Sequence, residues 1–394
     1  MKPAAGGAVA PVATLGNRRL KVLQPEAARS LGPAGTLAPD PLTPLTDGLQ
    51  RPISYLRISL TDRCNYRCTY CMPEGGVDIL PRDEILSFEE IEAIVAALTQ
   101  VGVRRVRLTG GEPTVRKDLL QLVQRLGRLG LEDLSLSTNG ERLGELARPL
   151  RAAGLDRLNV SLDTLSAERF RAVTRRGNLD AVLAGLDAAR AAGFRHTKLN
   201  TVAMRGFNDD ELGAVCRYAF ERDFIPRFIE LMPMAAGSLF YPGTFLPAAE
   251  IRARLQAEFG ELGPSTTAAL PESGAAALPG VGPARYTEVR FAGQVRRVGL
   301  ISAVTEPFCD TCNRIRLSAT GQLHACLAYD DAIDLRSVLR AATAAATTAA
   351  TTPKDQQSRL VALARAGLQQ KRPGHEFTPA GCGGPQKHMV SIGG

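Results

Sequence analysis

The stretch YLRISLTDRCNYRCTYC, Tyr55 to Cys71, decides the fold. Its first six residues alternate, with Leu56, Ile58 and Leu60 on one side and Tyr55, Arg57 and Ser59 on the other. That is the period of a strand. A loop with Cys64, Cys68 and Cys71 follows, and Ser87-Phe-Glu-Glu90 then forms a capping box opening an amphipathic helix to Thr99. The rhythm recurs. Strands are expected at Val103–Thr109, Leu134–Ser137, Leu158–Leu162, His196–Met204 and Arg227–Met232. Helices are expected between them at Arg116–Leu129, Glu141–Ala153, Leu179–Ala192 and Asp209–Arg222. Strands alternating with helices pair in parallel through right-handed crossovers. About six such units give an α/β fold over residues 51–260, in which periodicity alone does not separate a full or partial barrel from an open sheet; the expectation is a partial (β/α)6 barrel of the TIM type.

Beyond residue 284 the rhythm changes. Tyr286–Phe291 and Gln294–Ile301 read as a hairpin around Ala292-Gly293, and Arg314–Ser318 and Gln322–Cys326 as another around Thr320-Gly321. An α+β segment with its own cysteines is expected over residues 285–345. Residues 1–50, rich in Ala, Gly and Pro, read as a disordered extension, residues 261–284 as a linker or insertion, and residues 346–394 as a variable C-terminal region.

Composition narrows the function. The chain of 394 residues is 44% hydrophobic and 22% charged, enough to bury a full core. No apolar run approaches the roughly 18 residues of a membrane span. Lys and Arg number 48 against 40 Asp and Glu, and only 7 of the 48 are Lys. No block of five like charges occurs, Trp is absent and aromatics are 5%, so neither a basic nucleic-acid arm nor a base-stacking platform is expected. Eight cysteines in a chain without an apolar secretory segment point to reduced thiols and a cytoplasmic setting.

Three cysteines spaced four and three apart cannot complete a tetrahedral zinc site alone, but they can hold three irons of a [4Fe–4S] cluster and leave one open. A zinc knuckle with a distant fourth ligand is the alternative. Thr109-Gly110-Gly111-Glu112-Pro113 ends a strand with glycines that let backbone approach a ligand. Cys309-Asp-Thr-Cys312-Asn-Arg314-Ile-Arg316, with Cys326 further on, is a second set of three thiols, open to the same two readings. Arg57, Arg107 and Lys198 lie within strands, where a lumen-facing charge is costly unless paired, and an anionic ligand would pair them. No G-x4-G-K-[ST] occurs, so side chains rather than a phosphate loop would grip a nucleotide.

The segment LRISLTDRCNYRCTYCMPEGG resembles the radical S-adenosylmethionine (SAM) superfamily, with Tyr70 as its aromatic before the last Cys and Gly-Gly-Glu-Pro as its methionine-binding segment. Within it, CDTCNRIRLS…GQLHACL and the final Ile392-Gly393-Gly394 are similar to the GTP 3′,8-cyclase family of molybdenum cofactor biosynthesis. The resemblance implies two [4Fe–4S] clusters, on Cys64, Cys68 and Cys71 and on Cys309, Cys312 and Cys326. It implies SAM contacts at Tyr70, Gly111, Ser161 and Met232, and GTP contacts at Arg57, Arg107, Ser137, Lys198, Arg314 and Arg316, with Arg105 and Arg227 as further candidates. Gly393 and Gly394 would assist at the active site. A 5′-deoxyadenosyl radical would take hydrogen from C3′ of GTP, and C3′ would then join guanine C8. The implied partners are an electron donor such as flavodoxin or ferredoxin, the next enzyme (cyclic pyranopterin monophosphate synthase) and a second copy in a homodimer, with no membrane and no nucleic acid. Rival readings are a radical SAM enzyme modifying a peptide or RNA, and a non-catalytic iron–sulfur or zinc protein.

Overall fold

A computed structural model describes residues 22–23, 43–266, 282–345 and 352–393. Its strands are β1 (Val22–Leu23), β2 (Tyr55–Ser59), β3 (Arg105–Thr109), β4 (Asp133–Thr138), β5 (Arg157–Ser161), β6 (Lys198–Ala203), β7 (Ile225–Glu230), β8 (Arg285–Phe291), β9 (Gln294–Ile301), β10 (Arg314–Leu317), β11 (Gln322–His324) and β12 (Ala332–Asp334). The helices are α1 (Phe88–Thr99), α2 (Leu119–Gly127), α3 (Leu143–Ala152), α4 (Ala167–Thr174), α5 (Leu179–Ala191), α6 (Leu212–Glu221), α7 (Ala248–Phe259), α8 (Arg336–Ala345) and α9 (Pro353–Leu368).

Strands β2 to β7 pair in parallel, each with the next, as the alternation predicts. Their apolar positions face the helical layer: Leu56, Ile58, Val106, Leu108 and Leu136 are fully buried there. Helix α1 starts at its capping box, with Ser87 and Glu90 each bonding the other's amide, and buries Ile91, Ile94, Val95 and Leu98 against the strands. Three helices begin later than their sequence pattern, α3 by two residues at Leu143. Helix α2 waits until Leu119 because Glu112 caps a 3-10 turn at Pro113–Val115. Helix α6 waits until Leu212 because Asn208 bonds the carbonyls of Asp163 and Val202 and holds the preceding turn.

The expected α+β segment over residues 285–345 is continuous with the barrel sheet, whose order is β1-β12-β11-β10-β2-β3-β4-β5-β6-β7-β9-β8. Strand β9 pairs in parallel with β7, and β10 in parallel with β2. Both predicted hairpins form, and each also supplies a strand to one edge of the six-stranded barrel. The edges of an open sheet carry unpaired amides and carbonyls, and these strands satisfy them. Residues 43–50, read as part of a disordered extension, are packed. The Leu45 amide bonds Val101 O at 2.7 Å, Leu45 is buried, and Asp47 is fully buried against Arg51. In residues 346–394, α9 buries Leu360, Ala364 and Leu368. Within these readings, residues 1–21, 24–42, 267–281 and 346–351 and Gly394 lie outside the described residues. No helix among the described residues is long and apolar enough to cross a membrane.

Candidate active site

The C-terminal strand ends open into a cavity of about 310 Å3, where barrels of this type keep their sites. Its lining includes Cys64, Cys68, Cys71, Tyr70, Gly111, Ser161 and Met232, and also Arg57, Arg107, Ser137, Lys198, Arg314 and Arg316, with Arg105 and Arg227. Cys309, Cys312, Cys326 and Gly393 stand outside that lining.

Register explains the convergence of charge. Arg316 on β10, Arg57 on β2 and Arg107 on β3 are direct neighbours across three adjacent parallel strands. Arg107 Nε donates to Ser135 Oγ on β4 at 3.2 Å, and its guanidinium lies over the Tyr55 ring. Burial pushes the Arg57 guanidinium well below its usual range, and Arg316 and Arg107 push it further. Arg316 is held down at about 10, by burial first and Arg314 second. Arg227 is clamped by Asn159 at 2.7 Å and Asn200 at 2.9 Å. Eight cations line the cavity: Arg57, Arg105, Arg107, Arg157, Lys198, Arg227, Arg314 and Arg316.

Four carboxylates share the lining, and each is engaged. Asp133 pairs with Arg157 at 2.6 Å. Glu112 accepts from Thr114, from Thr138 and from the Asn139 amide. Asp163 accepts from Tyr70 and the Val202 amide, and Glu230 from the amides of Ala248, Val304 and Thr305. The arrangement leaves an excess of positive charge facing the cavity, which suits a polyanion.

The first cysteine loop is fastened to the Gly-Gly-Glu turn. Gly111 N bonds Thr61 O at 2.7 Å and Glu112 N bonds Arg63 O at 2.8 Å. A Cβ on Gly111 would stand 2.3 Å from Arg63 O, so only glycine permits this approach. Burial pushes the Cys64 thiol up to about 11 and the Cys71 thiol, with Cys64 adding, up to about 12. Cys68 is raised by burial and then by Cys71. Buried thiols that oppose one another's ionisation are stable as thiolates once a metal centre supplies the compensating charge. No group of three or more His, Cys, Asp or Glu among the described residues converges to hold a single metal ion. In a cubane each cysteine ligates its own iron, so three sulfurs around a cluster need no common point.

In the second triad, Cys312 N bonds Cys309 O at 3.0 Å across a 3-10 turn, and Cys326 follows β11. Burial raises the Cys309 thiol, and Cys326 and Cys312 raise it further. Cys312 behaves otherwise. Burial opposes its ionisation, but Arg314 and Lys371 hold it down at about 6. Segment Met389–Ile392 brings Met389 and Val390 into the cavity lining, and the Val390 amide meets the Cys71 thiol. Gly393 then takes φ +71°, accepts from Arg316 Nη1 at 2.5 Å, and leaves no room for a Cβ, which would lie 2.4 Å from Thr109 Oγ1.

Sequence reasoning missed Asp163, Asn159, Asn200 and Lys371. Asp163 had a signal, as a carboxylate just past the strand LNVSL, on the face where sites gather. Cys216 is a core residue of α6, and Cys382 is exposed.

Residues 58–219 match the Radical SAM superfamily and residues 225–377 match Molybdenum Cofactor Synthesis C. A partial parallel barrel with a C-x3-C-x2-C loop over its strand ends is thus a radical SAM protein. The chain is 48% identical over 299 residues to the GTP 3′,8-cyclase of Ectopseudomonas mendocina (strain ymp), covering 75% of this chain and 86% of that one. It is 46% identical over 297 residues to that of Pelotomaculum thermopropionicum, covering 75% and 88%. With the Heliobacterium modesticaldum enzyme the identity is 41% over 351 residues, 89% of this chain and 100% of the other. The chain belongs to the GTP 3′,8-cyclase family, and membership implies a [4Fe–4S] cluster and SAM as cofactors.

Proposed function

We propose that the chain converts GTP to (8S)-3′,8-cyclo-7,8-dihydroguanosine 5′-triphosphate, the first committed step of molybdenum cofactor biosynthesis, with SAM and two [4Fe–4S] clusters. The observation that carries this reading is the in-register row Arg316, Arg57 and Arg107 inside a cavity whose acids are all engaged. Cys64, Cys68 and Cys71 would hold the first cluster, which when bound would supply one-electron reductive chemistry to SAM. Cys309, Cys312 and Cys326 hold the second.

The remaining work belongs to the side chains. Arg57, Arg107, Lys198, Arg314 and Arg316 hold the triphosphate and guanine, with Ser137, Arg105 and Arg227 beside them. Tyr70, Gly111, Ser161 and Met232 seat SAM against the first cysteine loop. Fixing C3′ of the sugar against the adenosyl carbon supplies proximity, and the packed lumen excludes water and competing hydrogen donors. Gly393, bonded to Arg316, would anchor the tail whose Met389 and Val390 line the cavity. A flavodoxin or ferredoxin supplies electrons, cyclic pyranopterin monophosphate synthase takes the product, and the enzyme is a cytoplasmic homodimer.

The test is anaerobic incubation with SAM, GTP and a strong reductant. The expected result is 5′-deoxyadenosine and a cyclised nucleotide that both depend on GTP. Equal 5′-deoxyadenosine with and without GTP, and no nucleotide product, would overturn the proposal.

A further inference from the structure

Lys371 lies just beyond α9 and is only 6% exposed. An ammonium has three N–H donors and no acceptor, and here each donor has a destination. Nζ lies 3.2 Å from Cys312 O, 3.1 Å from Arg314 O and 3.6 Å from Cys312 Sγ. The same turn is gripped from its other side. Arg51 Nη1 donates to Cys309 O at 2.7 Å and to Pro373 O at 3.0 Å, and Nη2 donates to Arg372 O at 2.9 Å. Asp47 binds Arg51 Nε at 2.6 Å, so the nearby carboxylate is already engaged. Two buried cations therefore fasten the C-x2-C turn to the segment carrying Lys371.

Mere packing does not require this lysine. A buried ammonium carries a desolvation cost that an apolar side chain of the same length avoids, and it is tolerated where hydrogen bonds and negative charge compensate. The two carbonyls supply partial charge. The full charge comes from Cys312, whose sulfur is a thiolate whenever it ligates a metal. Arg314 Nη2 adds a second donor to that sulfur at 3.5 Å. Hydrogen bonds to ligating sulfurs and net local charge are the principal protein controls on an iron–sulfur potential.

We propose that Lys371 is a positioning residue of the second cluster, its ammonium donating an N–H···S hydrogen bond to Cys312 that orients this ligand and raises the cluster's reduction potential. The inference rests on the reading of Cys309, Cys312 and Cys326 as a cluster site. Removing the fixed positive charge disfavours the reduced, more negative cluster, so the potential falls. Lys suits the task because its donors spread over three acceptors in different directions, which a planar guanidinium fork does not match.

The test compares full-length wild type with Lys371→Met, Lys371→Gln and Lys371→Arg after anaerobic reconstitution. Iron and sulfide are counted, and the clusters are titrated potentiometrically by EPR. The second-cluster signal is the one that Cys312→Ser removes. In Lys371→Met that signal should move to more negative potential by at least about 59 mV, a tenfold change in the oxidised-to-reduced ratio of a one-electron couple. The first-cluster signal should stay in place, and Lys371→Arg, which keeps the charge but not the three-way hydrogen bonding, should be displaced less than Lys371→Met. If Lys371→Met holds no second cluster, Lys371→Gln, which keeps a donor without charge, should show the same displacement. An unchanged potential in the neutral variant that retains the cluster overturns the role of Lys371. Wild type with about four irons and no Cys312-dependent signal overturns the second-cluster reading itself, and the inference with it.

Discussion

The Tyr70 hydroxyl donates to one Asp163 carboxylate oxygen at 2.7 Å, while the other oxygen accepts the Val202 amide at 2.9 Å. The cysteine-loop tyrosine is thereby tied to the ends of β5 and β6. Burial pushes the Asp163 carboxyl up to about 6, against the opposing pull of these two donors. The folded state therefore favours the protonated form, and stability falls as pH rises toward and through about 6. Asp163→Asn removes that ionisation. The wild type should lose roughly 3 kcal/mol relative to Asp163→Asn between pH 4 and pH 7. Denaturant titrations of the metal-free chains at several pH values check this, and parallel curves would contradict it.

The arginine row yields a selective effect. Arg107→Ala removes a charge-assisted contact of roughly 1.5–3 kcal/mol, so GTP affinity should fall about 10- to 150-fold. SAM affinity should change by less than about twofold, because Tyr70, Ser161 and Met232, three of the proposed SAM contacts, lie on other elements and the fourth, Gly111, lies past the end of β3. Anaerobic calorimetry with each ligand separates the two, and an equal loss for both would point to misfolding.

On the proposed function, the two cysteine triads should divide the labour. Cys68→Ser should abolish SAM cleavage altogether. Cys312→Ser should leave GTP-independent cleavage of SAM measurable while GTP binding or turnover is impaired. Quantifying 5′-deoxyadenosine with iron content decides between them. Loss of uncoupled cleavage in Cys312→Ser, with the first cluster intact, would overturn the division.

Gly393 is the position where backbone conformation and space agree. Its φ of +71° disfavours any other residue, and a Cβ would collide with Thr109 Oγ1. Gly393→Ala, or deletion of residues 393–394, should leave iron content and SAM affinity near normal. GTP-dependent product should drop at least about tenfold, since the Arg316 contact is lost. Unchanged cyclisation would reduce the segment to a frayed end.

The barrel was legible because each of its elements carries its own period. Leu56 and Ile58 alternate with Arg57, and Ile91, Ile94, Val95 and Leu98 recur at helical spacing. The hairpins Arg285–Ile301 and Arg314–His324 were legible for the same reason, but their third partners were not. Strand edges pair through backbone groups that leave no mark on side-chain pattern. The packing of Leu45 escaped notice because a single apolar residue among prolines has no period. At the site, Arg57 and Arg107 stood out as charges inside apolar strands. Lys371 did not, as its partners are carbonyls and a thiol almost sixty residues away, 59 for Cys312.

The grip of Arg51 on Cys309 O and Pro373 O spans 258 and 322 residues of chain. The first cysteine loop and its Gly-Gly-Glu partner, by contrast, lie within one early stretch of the polypeptide. At about 5–20 residues per second of translation, the first cysteine loop and its Gly-Gly-Glu turn emerge tens of seconds before Lys371 and Pro373 exist, whereas Met389 and Val390, which complete the cavity lining, come later still. The two cysteine turns are therefore completed at different times during synthesis. A growing chain can fasten the first cysteine loop to its turn while the Cys309–Cys312 turn still lacks the backing of Arg372 and Pro373.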